Sequence, residues 1–356
     1  MKKIVSALIV ISSLLSLGCK QKSTGSSTPE AAQSSKVVNL SIWTNFITPE
    51  LLSEFEKRTG IKVQVSNYSS NEELLAKIQA GAEGYDVAVP SDYMVVAMNQ
   101  LGLLLPLDLQ KISNYKDLDP RVLKKYYDPS NKVSVPFSWG TTGIAVNHKL
   151  TKAAILGWKD LFETKEIAGK FTLLDDVRET LGAALKMQGF SLNTKNPAEL
   201  EKAKAVLLEA KKRAKGFTSE PLAGLVNGEM VVAHAYSVDA LMASQKTQGA
   251  VQYVLPVEGC TFWVDNLVIP KGAKNIDAAH QLIDFLLEPK TGAERAKTLF
   301  SAPSNKKSFA LLSKELQENA GLFPDEKKLA KCEMLEDLGE SLVLWDRIWT
   351  EVKASN

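Results

Sequence analysis

From Val37 onward the spacing of apolar and polar positions changes period segment by segment. VVNLSIW alternates as a strand does, PELLSEFEKRTG carries its apolar residues at helical spacing, and IKVQVSNY alternates again. Pro49 near the start of the middle segment and Gly60 at its end punctuate a helix. SNEELLAKIQAG repeats the helical pattern behind Ser70, with Glu72 and Glu73 in its first turn. YDVAVPSDY then returns as a third strand that closes in a polar turn. Strands alternating with helices predict an α/β fold with a parallel sheet. Such sheets bind ligands beyond the carboxyl ends of their strands, which directs attention to Trp43, Thr44, Ser91 and Tyr93.

KVSVPFSWGTTGIAVNHKL is extended and longer than its neighbours, with Gly140 and Gly143 at its middle, and reads as a crossing between two domains. TLLDDVRETLGAALKMQG is a strand running into a helix. NPAELEKAKAVLLEAKKRAKG is a second helix, with Leu200, Ala203, Leu207, Ala210 and Ala214 on one face between Asn196, Pro197 and Gly216. AVQYVLP is a further strand, and the apolar run NLVIP predicts a return to a buried sheet through a second crossing. IDAAHQLIDFLLEPKTGAERAKTLF and KCEMLEDLGESLVLWDRIWTEVK read as amphipathic helices packed on the outside. No internal repeat is visible. At 356 residues, 45% of them apolar, the chain has the length and the material for two cores.

The first eighteen residues, MKKIVSALIVISSLLSLG, combine two lysines, a short apolar run and small residues before Cys19, which predicts a signal peptide. A cysteine in that place is similar to the lipobox of bacterial lipoproteins, where the thiol is diacylated and becomes the new N-terminus. Ser16 departs from the usual Leu, which stands one place earlier as Leu15, so the match is to a relaxed lipobox; an ordinary cleavage site is the other reading. The Ser-rich stretch from residue 19 to 36 predicts a flexible tether between a membrane anchor and the folded part.

Without Lys2 and Lys3 the 43 basic residues become 41, equal to the 41 acidic ones. No basic excess remains to neutralise phosphates, so nucleic acid is excluded as a natural partner. Cys260 and Cys332 are compatible with a disulfide or with two isolated thiols, and they offer no four-ligand zinc pattern.

Catalytic signatures are missing: the chain has no Walker loop, no GxGxxG and no GxSxG. His148, His234 and His280 fall in different elements and read as surface or packed residues. Tyr126 and Tyr127 could suggest a ferric-ion site, but the end of an amphipathic segment before Asp128 and Pro129 explains them better. A hydrolase or an amine-modifying enzyme therefore lacks a nucleophile and base in motif context.

What the chain does have is aromatic and acidic residues at strand ends: Trp43 and Phe46, Tyr93, Asp176 and Glu179, Tyr236 and Asp239, Trp263 and Asp265. Each alone has a packing explanation, a core Trp, a helix cap or a solvated helix residue. Together they suit a flexible chain ending in ammonium groups, because carboxylates neutralise its charges while aromatic faces hold methylenes and cations. Strand alternation sets Trp263 and Asp265 on one face and turns Phe262 and Val264 to the other.

IWTNFITPELLSEFEKRTGIKV, YDVAVPSDY, LLDDVRE and FWVDNLVIP, in that order and spacing, resemble the periplasmic spermidine/putrescine receptors of bacterial ABC transporters from Val37 to the C-terminus. The resemblance implies two lobes, each a mostly parallel sheet flanked by helices, joined by crossing hinge strands, with the ligand between them. It places residues 37–144 and 264–309 in one lobe and 145–263 and 310–356 in the other. It implies a monomer without cofactor or metal, lipid-anchored in the periplasm, that hands a polyamine to a membrane permease and its ATPase. Matched motif by motif, Trp43 becomes an aromatic wall and Thr44 a polar edge, with Phe46 for a frequent tyrosine, Ser91 and Tyr93 on the same lobe, Asp176, Glu179 and Tyr236 on the other side, and Trp263 with Asp265 completing the site.

The departures bear on ligand choice. Asn45 stands where the family commonly has an acid, Ser301 where it has a tyrosine, and Leu335 where spermidine receptors tend to have glutamine. Asp239, three residues after Tyr236, is similar to the putrescine branch, and the expectation is putrescine bound at least as well as spermidine. A receptor for another small cation, or an adhesin-like surface lipoprotein, is the alternative; the latter leaves the aromatic and acidic pattern unexplained.

Overall fold

The computed structural model describes residues 36–44, 46–81 and 84–355. The predicted signal peptide, Cys19 and the tether up to residue 35 lie outside them, as does Asn45. In chain order the elements are β1 (Lys36–Trp43), α1 (Pro49–Thr59), β2 (Ile61–Tyr68), α2 (Asn71–Gln79), β3 (Val87–Ala88), α3 (Asp92–Gln100) and β4 (Ser134–Asn147). Then come α4 (Trp158–Glu163), β5 (Phe171–Leu174), α5 (Val177–Met187), α6 (Pro197–Lys211), β6 (Gly216–Thr218), α7 (Leu222–Asn227) and β7 (Val232–Tyr236). They continue with α8 (Ser237–Lys246), β8 (Val251–Val254), β9 (Phe262–Val268), α9 (Ile276–Leu286), α10 (Pro289–Leu299) and β10 (Ala302–Pro303). Last are three four-residue helices, α11 (Lys306–Phe309), α12 (Lys314–Gln317) and α13 (Glu326–Leu329), and α14 (Leu342–Ala354).

Local sequence explains many of these boundaries. The Thr48 hydroxyl accepts the Leu51 N–H at the start of α1, and Gly60 ends that helix at φ 68, a conformation that costs a residue with a Cβ. Ser70, Asp176 and Asn196 cap α2, α5 and α6 through their side chains. Leu200, Ala203, Leu207 and Ala210 form the buried stripe of α6, as their spacing predicts.

The strands order as β2-β1-β3-β9-β4-β7-β5-β6, with β8 and β10 also on β4. β1 runs parallel to β2 and β3, and β5 parallel to β6 and β7, so both outer parts have the predicted parallel pairing. The centre differs. β4 is antiparallel to β7, β8, β9 and β10, and β9 is antiparallel to β3, which makes the sheet mixed. The cause is the crossing itself: residues 134–141 of β4 pair with β9, whereas 142–147 pair with β7 and β8. One buried fourteen-residue strand thus serves both halves of the molecule. The second predicted crossing lies between β8, which pairs with the far end of β4, and β9, which pairs with the near end.

Each half has its own core. Val38, Leu40, Phe55, Val87, Phe137 and Leu282 cluster on one side of the chain's crossing, and Trp158, Phe162, Phe171, Leu181, Leu200 and Trp345 cluster on the other. Two expectations need correction. The apolar stretch from Ile276 is two helices, because Glu288 turns extended ahead of Pro289, whose ring disfavours helical backbone before it. The segment from Cys332 is helical only from Gly339, where a 3-10 turn leads into α14; residues 332–338 run alongside the start of β9, where Thr261 and Glu333 form a parallel bridge.

Candidate functional site

Asp265 lies opposite Ser138 on the crossing strand β4 and is 4% exposed. Ser91, the residue that opens α3, makes no capping bond to its own helix; its hydroxyl donates to Asp265 Oδ1 at 2.7 Å, and its N–H donates to Asn71 Oδ1 at 3.1 Å. Burial pushes the Asp265 carboxyl up to about 7, against the opposing pull of the Ser91 hydroxyl and Arg295. Trp263, two residues earlier, crosses Gly140, where a Cβ would stand 2.4 Å from its ring, so the glycine makes room for the indole. Phe262 and Val264 turn to an apolar cluster with Trp139 and Met94, as alternation predicts. At the end of β1, the Trp43 ring packs on Tyr68 with centroids 4.7 Å apart. The Trp43 and Trp263 indole nitrogens are buried without a hydrogen-bond partner among the described residues.

A second group comes from β5, α5 and β7. Asp176 accepts the N–H groups of Arg178 at 2.8 Å and Glu179 at 3.0 Å, and the Tyr236 hydroxyl approaches it at 3.4 Å. Asp176 is therefore helix cap and site candidate at once. Glu179 receives the hydroxyls of Thr142 at 3.0 Å and Thr261 at 2.7 Å. Burial, then the neighbouring Asp176, raises Glu179 to about 8, and burial raises Asp176 too. Asp239, in the first turn of α8, is half-buried and pushed up to about 7 by burial and then by Glu220.

Tyr93 joins the two groups. Its hydroxyl donates to Glu72 Oε1 at 3.0 Å and accepts from Asn71 Nδ2 at 3.1 Å, while the Arg178 guanidinium lies 5.8 Å from its ring centroid. Burial and then the charge of Asp176 raise the Glu72 carboxyl, so the acids of α2 and α5 sense one another. Tyr236 in turn senses Asp176, Glu179, Tyr93 and Asp239.

The sequence missed four members of this constellation. Glu72 reads as an ordinary first-turn acid, and its only signal is the capping pattern that fixes where α2 begins. Asp92 is 1% exposed and pushed up to about 8 by burial, with the N–H groups of Tyr93 at 2.8 Å and Val264 at 3.4 Å as donors. Arg178 donates to the Glu336 carbonyl and to Asn193, both at 2.9 Å. Arg295 is fully buried, 3.5 Å from the centroid of Phe137, and burial lowers it to about 9 against the pull of Asp265.

Other candidates sit apart. Thr44 is exposed at the strand end. Phe46 is half-buried, and its carbonyl accepts from Arg295 Nε at 3.2 Å. Ser301 is fully buried and bonds Arg295 and Ser138, so it supports the floor under Asp265 rather than extending the wall. Leu335 is buried, and its carbonyl accepts the Tyr126 hydroxyl. Two surface cavities, of about 300 Å³ beside Trp139 and Cys332 and about 560 Å³ beside Leu241 and Phe300, lie elsewhere. His234 is a core residue 4.8 Å from Trp158, and burial lowers it to about 3.

Asp176, Glu179 and Asp265 accept hydroxyl or N–H donors, and neither they nor Asp239 have a cation at ion-pair distance among the described residues. Buried carboxylates in that condition resist ionisation. A cation entering between them would restore the balance, and the rings of Trp43, Tyr93, Tyr236 and Trp263 suit its hydrocarbon part.

Comparison with known proteins identifies the family. Residues 50–324 match the family model of the bacterial extracellular solute-binding proteins. The chain is 36% identical over 315 residues to the spermidine/putrescine-binding periplasmic protein of Salmonella typhimurium, covering 88% of this chain and 90% of the relative. Among solved structures, the spermidine/putrescine ABC transporter substrate-binding protein of Streptococcus pneumoniae superposes with a TM-score of 0.79 at 32% identity, over 90% of this chain and 99% of that one. A lipoprotein of Treponema pallidum does so with a TM-score of 0.80 at 30% identity, over 90% and 100%. Similarity at this level over nearly the whole length establishes descent: the chain belongs to the bacterial extracellular solute-binding protein family.

Proposed function

We propose that this protein captures a polyamine for an ABC transporter, holding the ammonium groups on Asp265 at one end and on Asp176 and Glu179 at the other, with Asp239 nearer the middle. The observation that carries the reading is the set of carboxyls, Glu179 and Asp265 buried and Asp176 and Asp239 half-buried, with no cation at ion-pair distance among the described residues. A diammonium chain supplies the missing charges, and Trp43, Tyr93, Tyr236 and Trp263 supply the apolar wall for its methylenes. The relatives from Salmonella typhimurium and Streptococcus pneumoniae are named for spermidine and putrescine, which supports this ligand class.

In this reading the lobes are residues 37–144 with 264–309 and 145–263 with 310–356, and they close by a hinge motion about β4 and the approach to β9. The closed receptor delivers its amine to a membrane permease driven by an ATPase. Acyl chains on Cys19 hold it to the membrane, which the naming of the Treponema pallidum relative as a lipoprotein supports. It works as a monomer in the periplasm. Putrescine binds at least as well as spermidine, because Asp239 brings a carboxylate nearer the middle of the site. Isothermal titration with both amines tests this: saturable binding of either supports capture, no binding of either refutes it, and a clear spermidine preference refutes the ranking.

A further inference from the structure

Next to Thr261, whose hydroxyl donates to Glu179, two thiols meet. Cys260 stands just before β9 and is 1% exposed, whereas Cys332 is half-buried, and their Sγ atoms are 2.6 Å apart. Main-chain bonds set this approach. The Glu333 N–H donates to the Cys260 carbonyl at 2.9 Å, and the Phe262 N–H donates to the Glu333 carbonyl at 2.8 Å. The sulfurs thus stand within about 0.6 Å of the usual disulfide bond length. Their access differs: Cys332 lines the cavity of about 300 Å³ together with Trp139, Phe262 and Leu329, and Cys260 does not line it.

We propose that Cys260 and Cys332 form a redox-active dithiol in which Cys332 is the attacking sulfur and Cys260 the resolving one. The contact with Cys260 and the nearby Lys186 hold the Cys332 thiol below its ordinary range, while burial pushes Cys260 up. The oxidant is a small disulfide such as oxidised glutathione. Cys332 thiolate attacks one of its sulfurs, the S–S bond breaks, and the first thiol leaves with a proton. Cys260 then gives up its proton and attacks Cys332 Sγ, expelling the second thiol. Two protein thiols become one disulfide, and the oxidant disulfide becomes two thiols. The new bond would fasten the segment 332–336, whose Leu335 and Glu336 carbonyls accept from Tyr126 and Arg178, to the strand that carries Trp263 and Asp265.

The full chain incubated with oxidised glutathione, quenched in acid, unfolded, labelled with N-ethylmaleimide and mapped by peptide mass tests the proposal, with Cys19 counted separately. Cys260 and Cys332 should form one linked peptide pair lighter by two hydrogens, and dithiothreitol should restore a label on each. The Cys260→Ser variant should accumulate a glutathione adduct on Cys332, whereas Cys332→Ser should leave Cys260 unmodified in the folded protein. Two labels on the oxidised wild type overturn the pairing. An adduct forming as readily on Cys260 in Cys332→Ser overturns the assigned order of attack.

Discussion

The Ser91 hydroxyl, which its own helix leaves unused, donates to Asp265 at 2.7 Å across 174 positions of sequence. The bond ties the start of α3 to β9 and stabilises the ionised form of the carboxylate that is proposed to meet an ammonium. Ser91→Ala should keep the fold, push Asp265 further above its ordinary range and weaken putrescine binding about tenfold, a loss of ~1.4 kcal/mol. Unaltered affinity in isothermal titration would contradict this.

Asp265→Asn goes further, because it removes the charge and keeps the volume. Affinity should fall by about 2–5 kcal/mol, since the ammonium loses its partner in a desolvated site. In the absence of amine the same variant should melt at a higher temperature than wild type at pH 8, because no buried charge has to form. A variant that loses both affinity and stability would point to a structural role instead.

The pH dependence follows from the same groups. Asp265 and Asp239 are raised to about 7 and Glu179 to about 8, all above their unfolded values. Between the unfolded and folded pKa the native state holds more protons, so the stability of the ligand-free protein falls as pH rises from about 4 to 8. Amine binding needs the ionised forms and therefore runs the other way: affinity should climb from pH 6 to pH 8. Binding at pH 7 should release protons, read as a calorimetric heat that varies with the ionisation enthalpy of the buffer. Proton uptake would refute the assignment.

Gly140→Ala places a Cβ 2.4 Å from the Trp263 ring and 2.8 Å from Ser237 Oγ. Both neighbours are packed, so the indole must move. Denaturant unfolding should show a loss of about 1–3 kcal/mol, and amine affinity should drop with it. Wild-type behaviour in both measurements would mean that the strand yields without disturbing Trp263.

Asp239 decides selectivity in the proposed reading. Asp239→Asn should lower putrescine affinity more than spermidine affinity, because the shorter amine depends on the carboxylate nearer the middle. Equal losses for the two amines would assign Asp239 a purely electrostatic background role.

Several features were legible because they are local. The βαβ periodicity, the caps at Ser70, Asp176 and Asn196, and the shared face of Trp263 and Asp265 all depend on neighbours within four residues. The glycines of β4 marked the crossing strand for the same reason. Ser301 is a site candidate by motif and Leu335 a departure from the spermidine pattern, but that Ser301 accepts from Arg295 and the Leu335 carbonyl from Tyr126 is set by packing between distant segments.

The sequence alone therefore determined the alternation of strands and helices from Val37, the caps, and which residue types could meet a cation, since periodicity, capping and side-chain charge are short-range properties. Only the tertiary structure decided that Glu72 faces Tyr93, that Arg295 comes within electrostatic reach of Asp265 and that Cys332 reaches Cys260. These pairs are far apart in the chain, and the approach of two side chains is set by how the crossing strands and their helices pack.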